Sequence, residues 1–233
     1  MKNSAEAIPV LYVLLLLLVA LLSWVGSIYA WGLESLLDAE GVRWMCIHML
    51  DNVRQSPWLE IAMALAVCGQ FIESGLPAVF TPRFWQRRSR TLKKMRALQI
   101  TIAVLAVMVV LFVLSLTGAS PLMSALGQFT LSPLFFGLYP ISLMVLLVLS
   151  TTYGLASGRF YSVGDVVRSL VSLPVAVAPF FVTLFLAAQL MGCIRYVWSL
   201  PVDTPVDILL SLLLYGIPLI LSLLSVYRLK FNV

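Results

Sequence analysis

Residues 9–31 read PVLYVLLLLLVALLSWVGSIYAW, an almost unbroken run of apolar side chains. About 20 such residues cross the hydrocarbon core of a bilayer as an α-helix. A signal peptide would have a shorter apolar region of about 7–15 residues behind a basic flank, whereas Lys2 is the one basic residue before this run. The stretch therefore predicts an uncleaved transmembrane helix.

The composition of the whole chain also indicates a membrane protein. Of the 233 residues, 61% are hydrophobic and 11% are charged, against roughly 45–50% and 25% in a soluble domain. So few charges would leave a soluble globule of this length without a hydrated surface. The composition excludes intrinsic disorder, a disulfide-rich secreted scaffold and a nucleic-acid-binding domain. It predicts an all-α fold, a polytopic membrane helix bundle.

Five further apolar runs are long enough to be transmembrane helices. The second span is less apolar than the others because it contains Glu60, Gln70 and Glu73. Prolines interrupt the last two spans, and neighbouring helices can satisfy the carbonyl groups that a proline leaves unpaired. The six predicted spans cover residues 9–31, 58–80, 98–117, 134–153, 173–197 and 208–227.

The basic residues predict the orientation of these spans, because loops rich in Lys and Arg stay on the cytoplasmic side. The loop 81–97 holds seven of the fifteen basic residues, and five more fall on its side of the membrane when six spans are counted. We therefore expect both termini in the cytoplasm and a multi-pass protein of the bacterial inner membrane. The same loop is expected to contact anionic lipid. Its basic residues are Arg83, Arg87, Arg88, Arg90, Lys93, Lys94 and Arg96.

In residues 38–55 apolar and polar side chains recur with the period of an α-helix, which predicts an amphipathic helix. The polar side carries Arg43, His48, Asp51 and Arg54. Such a helix lies flat on the outer membrane surface or packs on its own bundle. The predicted apolar side consists of Val42, Met45, Cys46, Met49, Leu50 and Val53.

Groups that bind metals or catalyse reactions are scarce in this sequence. His48 is the only histidine, and the three cysteines show no metal-ligand spacing. There is also no serine–histidine–aspartate set and no phosphate-binding loop. The sequence therefore predicts no enzyme activity, no metal and no cofactor.

Two features leave alternatives open. The turn-rich linker 118–132 is interpreted as a short external loop, with a re-entrant segment as the alternative. Cys46 and Cys193 both fall near the outer face, and we favour apolar packing of these thiols over a disulfide.

Polar residues inside the predicted spans are the candidates for a substrate or ion path, because ionisable groups in a bilayer are costly and often functional. Glu60 lies near the outer end of the second span, and Glu73 lies about 10 Å from its inner end. Both can reach interfacial water or arginine partners in the 83–90 cluster, and we favour structural pairing over an ion or proton path. The candidate path consists of Glu60, Gln70, Glu73 and Gln189.

Seven short motifs occur in a fixed order along the chain. They are LSWVGS at 22–27, EGVRWM at 40–45, ESGL at 73–76, LSPL at 131–134, YGL at 153–155, SVGDVV at 162–167 and FLAAQ at 185–189. In sequence and order they resemble the AbgT family, the p-aminobenzoyl-glutamate transporters. The resemblance implies a secondary-transporter fold, and it covers the chain up to about Val197.

The resemblance also implies which parts are missing. Family members are much longer, and their two substrate-binding hairpins would fall after Phe80 and after Gln189, where this chain has other sequence. No family binding residue is therefore carried over. What remains resembles the framework and dimerisation part of the fold. The resemblance therefore implies a homodimer in the bilayer that either assists a separate transporter subunit or is a degenerate remnant of a transporter.

Two alternatives to a framework protein are kept. One is a self-sufficient small transporter of an aminobenzoyl-glutamate-like organic anion, driven by H⁺ or Na⁺ along the candidate path. The other is a membrane enzyme, which is the least favoured because catalytic groups are lacking.

Overall fold

The structure is a computed structural model that describes residues 3–81, 92–115, 135 and 137–231. Within these ranges the longer regular elements are eight α-helices and one 3₁₀ helix, which confirms the all-α fold class. The α-helices are α1 (Asn3–Ile28), α2 (Ala39–Arg54), α3 (Trp58–Ser74), α4 (Leu92–Ser115), α5 (Leu138–Ser157), α6 (Val163–Ala176), α7 (Ala178–Val197) and α8 (Pro205–Phe231); the 3₁₀ helix covers Leu76–Phe80.

Five of the described helices are long and apolar enough to cross a membrane, which confirms a polytopic helical protein. The qualifying segments are Ile8–Ile28, Leu92–Ser115, Leu138–Ser157, Ala178–Val197 and Pro205–Val226. α4 begins six residues before the predicted start of its span at 98, because Lys93, Lys94 and Arg96 are helical although hydropathy excluded them.

The predicted span 58–80 is not one continuous helix. α3 has 17 residues and ends at Ser74, so it is about 26 Å long, shorter than the ~30 Å hydrocarbon core. Gly75 follows in the left-handed conformation with φ 77°, which is the usual way in which a glycine ends a helix. The chain then continues as the 3₁₀ helix.

The predicted span 173–197 is also divided. α6 and α7 meet at Val177, whose φ and ψ of −105° and 21° are not helical. Pro174 is accommodated inside α6, whereas Pro179 lies in the first turn of α7, where a missing N–H costs nothing. The linker 118–132 and loop residues 82–91 lie outside the described residues.

The chain divides into two compact units, one of residues 1–60 with 176–233 and one of residues 61–175. In the first unit α7 is the central helix, since it contacts α1, α2 and α8. In its most apolar stretch 61% of the residues are buried, against 11–17% in the corresponding stretches of the other four candidate spans. Small residues allow this close packing. The buried residues of α7 include Ala187, Ala188, Met191, Gly192 and Cys193.

In the second unit α4 packs along α5, and the 3₁₀ helix also contacts α5. The buried cluster between them consists of Leu76, Val79, Ala97 and Tyr153. α3 approaches α6 at Gly69, where an added Cβ would lie 3.0 Å from the Cβ of Leu173 and 3.1 Å from the carbonyl oxygen of Ser169. Residue 69 must therefore be small.

α2 packs on α7, but not through its apolar side. Gly41 and Asn52 are buried and Trp44 and His48 are half-buried, and the Trp44 ring stacks on Tyr196 at a centroid distance of 4.5 Å. Most of the predicted apolar stripe is exposed: Val42, Met45, Cys46, Met49 and Leu50. The structure thus shows one of the two predicted settings, packing on the bundle, and the membrane-surface setting of the exposed stripe stays a prediction.

Candidate functional site

The four candidate path residues divide between the two units. Glu60 and Gln189 belong to the first unit, and Gln70 and Glu73 belong to the second. The surroundings of each residue are therefore described within its own unit.

Gln189 is buried in α7, and both ends of its amide have partners on α2. Its Nε2 donates to the carbonyl oxygen of Met49 at 2.8 Å, and its Oε1 accepts from Asn52 Nδ2 at 3.2 Å. The Asn52 amide lies directly over Gly192, where an added Cβ would come within 2.4 Å of it. Because buried polar groups need partners, this network joins α2 to α7.

Arg195 and Asp207 form a second polar connection, near the C-terminal end of α7. Arg195 Nε donates to Asp207 Oδ1 at 2.7 Å and Nη2 donates to Oδ2 at 2.9 Å, a bidentate arrangement. Arg195 Nη1 donates to Gln55 Oε1 at 3.1 Å, so the guanidinium connects α7, α8 and the end of α2. This pair was not predicted from the sequence, although an opposite charge twelve residues away across a short loop indicates such a pair.

Glu60 lies in the first turn of α3 with an exposed side chain. A carboxylate in the first turn interacts favourably with the positive end of the helix dipole.

Gln70 is fully buried in α3, at 0% exposure. Its Nε2 donates to Thr151 Oγ1 at 2.5 Å, and Thr151 Oγ1 in turn donates to the carbonyl oxygen of Leu147 at 2.7 Å. Gln70 Oε1 is buried without a hydrogen-bond partner. Gln70 therefore joins α3 to α5 and leaves one unsatisfied acceptor in the second unit.

Glu73 lines an open cavity of about 390 Å³ in the second unit. Arg159 Nη1 donates to the carbonyl oxygen of Glu73 at 3.1 Å, and the Arg159 guanidinium lies against Gly75. An arginine beside Glu73 was expected from the 83–90 cluster, which lies outside the described residues. The lining residues are Glu73, Arg159, Phe160, Asp165, Arg168, Ser169 and Ser172.

Ser162 and Asp165 form a reciprocal cap at the start of α6. Asp165 Oδ2 accepts from the backbone N–H of Tyr161 at 2.9 Å and of Ser162 at 3.0 Å, and Ser162 Oγ accepts from Asp165 N–H at 3.3 Å. The Tyr161 and Ser162 N–H groups, and then the Arg168 charge, hold the pKa of Asp165 below its ordinary value. The position of Asp165 in the cavity was not predicted from the sequence.

Metal-binding groups do not cluster in the part of the chain that the structure describes, where no set of three or more His, Cys, Asp or Glu residues occurs. His48 instead stacks on Trp44 at a centroid distance of 4.8 Å. Cys193 is a buried free thiol, as apolar packing predicts, whereas Cys46 is an exposed free thiol and is not packed in this way.

The comparison with known families identifies the chain. The model of the AbgT transporter family matches residues 85–228. The chain belongs to the AbgT transporter family. No curated protein and no solved structure matches it.

The extent of the match refines the resemblance found in the motifs. The four motifs between 131 and 189 lie inside the matched residues, whereas the three at 22–76 precede them. The match continues past Val197 through most of α8, farther than the motifs reached. This AbgT-family protein is thus a membrane protein of a transporter family, with Gln189 and the Arg195–Asp207 pair inside the matched region.

Proposed function

We propose that this AbgT-family protein is a framework protein of the bacterial inner membrane, which assembles as a homodimer or with a separate transporter subunit. The observation that carries the proposal is the pair of hydrogen bonds that Gln189 makes to α2. Its nitrogen and its oxygen each make one hydrogen bond to α2, at 2.8 Å and 3.2 Å. One N–H and one lone pair of the amide are not used by these bonds, but the bonds hold the buried side chain against α2, which supports a role in helix packing.

The charges of the first unit support the same proposal. The Asp207 side chain is 4% exposed and is paired with Arg195, and a bidentate pair of this kind stabilises one arrangement of its helices. A transport site is expected to present open backbone or unpaired polar groups to its substrate. The hydrogen bonds of this unit instead connect neighbouring helices.

Reconstitution into proteoliposomes tests the proposal. The framework function predicts no accumulation of aminobenzoyl-glutamate or a related organic anion under an imposed H⁺ or Na⁺ gradient. Accumulation that is abolished by Glu73→Gln but retained in Glu40→Gln, which makes the same chemical change in the first turn of α2, would overturn it. Crosslinking in the membrane tests the assembly, since a strictly monomeric protein contradicts the homodimer.

A second candidate function is a self-sufficient small transporter. It is favoured by Gln70, whose Oε1 is buried without a partner, and by Glu73, which lines the cavity of the same unit. In this case Gln70→Leu lowers gradient-driven uptake while Gln189→Leu lowers stability. Uptake that is indifferent to both Gln70 and Glu73 rejects this alternative.

A further inference from the structure

The cavity beside Glu73 carries both signs of charge. Two guanidinium groups, of Arg159 and Arg168, and two carboxylates, of Glu73 and Asp165, line the same space of about 390 Å³. This volume is at the small end of the range for ligand sites. A ligand with one negative and one positive group therefore matches the lining better than a simple anion.

The donors of the cavity suit a phosphate group. The Arg159 guanidinium is held in place by its hydrogen bond to the Glu73 carbonyl oxygen and by its contact with Gly75. The hydrogen bond uses one of the five N–H groups of the guanidinium. Arg168 lies on α6 with an exposed side chain. Arginines bind phosphate oxygens with charge-assisted hydrogen bonds.

The acceptors of the cavity suit a primary ammonium group. Ser169 Oγ and Ser172 Oγ donate to carbonyl oxygens of their own helix, at 2.7 Å and 2.8 Å, so each hydroxyl presents lone pairs to its surroundings. Together with the two carboxylates, they can accept the three N–H bonds of an ammonium. A trimethylammonium group has no N–H to donate.

The surface next to the cavity is apolar and continuous along α6. Val163, Val167, Val171 and Val175 recur every four residues and are all exposed, at 80%, 53%, 46% and 65%. Arg168 and Val171 are three residues apart on α6 and are therefore neighbours on the helix surface, so the valine stripe meets the charged cavity at Val171. Acyl chains can lie along such a stripe while a head group occupies the polar site.

We propose that this cavity binds the head group of a zwitterionic phospholipid with a primary amine, a phosphatidylethanolamine. The phosphate contacts Arg159 and Arg168, the ammonium contacts Glu73 and the serine oxygens, and the acyl chains follow the valine stripe. The site lies in the second unit and does not depend on the proposed framework function.

Native mass spectrometry of the purified protein tests the site with three phospholipids that share their acyl chains. Phosphatidylethanolamine is expected to bind about tenfold more tightly than phosphatidylcholine or phosphatidylglycerol, because each of the latter lacks the charged N–H donors. Equal affinity for all three lipids overturns the proposal.

Variants separate the two halves of the site. Arg168→Gln should weaken binding of all three lipids by about tenfold, while Arg43→Gln, the same change at an exposed position of α2 outside the cavity, leaves binding unchanged. Glu73→Gln should reduce phosphatidylethanolamine binding to the level of phosphatidylglycerol. Wild-type affinities in both cavity variants overturn the proposal.

Competition with soluble glycerophosphoethanolamine distinguishes a lipid from a free head group as the ligand, and this experiment needs no variant. It should displace phosphatidylethanolamine from the wild-type protein only at much higher concentration, because it lacks the acyl chains. Failure to displace the lipid at any concentration contradicts a head-group site, and displacement at equal concentration contradicts a lipid as the ligand.

Discussion

Arg195 and Asp207 form a bidentate ion pair in which the Nε–Oδ1 distance is 2.7 Å and the Nη2–Oδ2 distance is 2.9 Å. The side chains are 19% and 4% exposed. Asp207→Asn should lower the free energy of unfolding by about 2 kcal/mol or more, because it leaves the guanidinium without its counter-charge. Thermal unfolding in detergent measures the loss.

Asp203→Asn is the matched control for this variant. Asp203 is exposed, and its positive φ of 66° suits asparagine. A loss of stability in Asp203→Asn equal to that in Asp207→Asn contradicts the assigned role of the pair.

Gly192→Ala should separate α2 from α7. The new Cβ would lie 2.4 Å from the Asn52 amide, and this short side chain is held by Gln189. We expect a loss of about 1–3 kcal/mol from overpacking, together with a change in tryptophan emission as Trp44 leaves Tyr196. Gly216→Ala is the control, since nothing lies within 4 Å of its added Cβ; it should be neutral or stabilise α8 by up to about 1 kcal/mol.

Gly75→Ala should cost more than Gly32→Ala, although both glycines have a positive φ, of 77° and 73°. Gly32 has nothing within 4 Å, so its replacement reports the backbone cost alone, about 1 kcal/mol. At Gly75 the new Cβ also displaces the Arg159 guanidinium, and loss of its hydrogen bond to Glu73 should add about 1–2 kcal/mol. Equal melting temperatures of the two variants would show that Arg159 contributes nothing there.

The cap of α6 should make stability depend on pH in acid. The folded-state pKa of Asp165 is lowered by the Tyr161 and Ser162 N–H groups, so its contribution is fully present above the unfolded pKa of about 3.9. It is lost as the pH falls through the lower, folded-state pKa. Asp165→Asn, which keeps an acceptor but cannot titrate, should flatten the melting temperature below about pH 4; an unchanged acid profile contradicts this role.

The basic loop should be cytoplasmic, by the positive-inside rule. Ser89 lies outside the described residues, and this prediction is based on the sequence. With the native cysteines replaced, Ser89→Cys should react with a membrane-impermeant maleimide only after the cells are opened. Labelling of intact cells overturns the predicted orientation.

The helical membrane class could be predicted from hydropathy because apolar residues predominate along most of the chain. Hydropathy placed the start of α4 too late, because Lys93 and Lys94 continue the helix beyond the apolar run. It also missed the division at Val177, since the same pattern of apolar residues and prolines is compatible with one kinked helix or two.

Within the candidate site, the sequence offered four polar side chains as candidates but could not predict their partners. Gln189 was selected because it lies in an apolar span, yet its partner Asn52 is 137 residues away, and no local pattern encodes such a pairing. The predicted apolar residues of α2 do lie along one side of the helix. Periodicity could not tell that α2 contacts α7 through the face of Gly41, Trp44, His48 and Asn52, while Arg43, Asp51 and Arg54 of the predicted polar side are exposed.

The distance in sequence between α2 and α7 has a consequence for the biosynthesis of this protein. When α2 leaves the ribosome, the groups that will bind Asn52 and the Trp44 ring do not yet exist, and Gln189 follows about ten to thirty seconds later at usual synthesis rates. During that interval the exposed stripe of Val42, Met49 and Leu50 can hold the nascent helix at the lipid surface. The two faces of α2 can therefore act in succession, the apolar stripe during synthesis and the face of Trp44 and Asn52 at assembly.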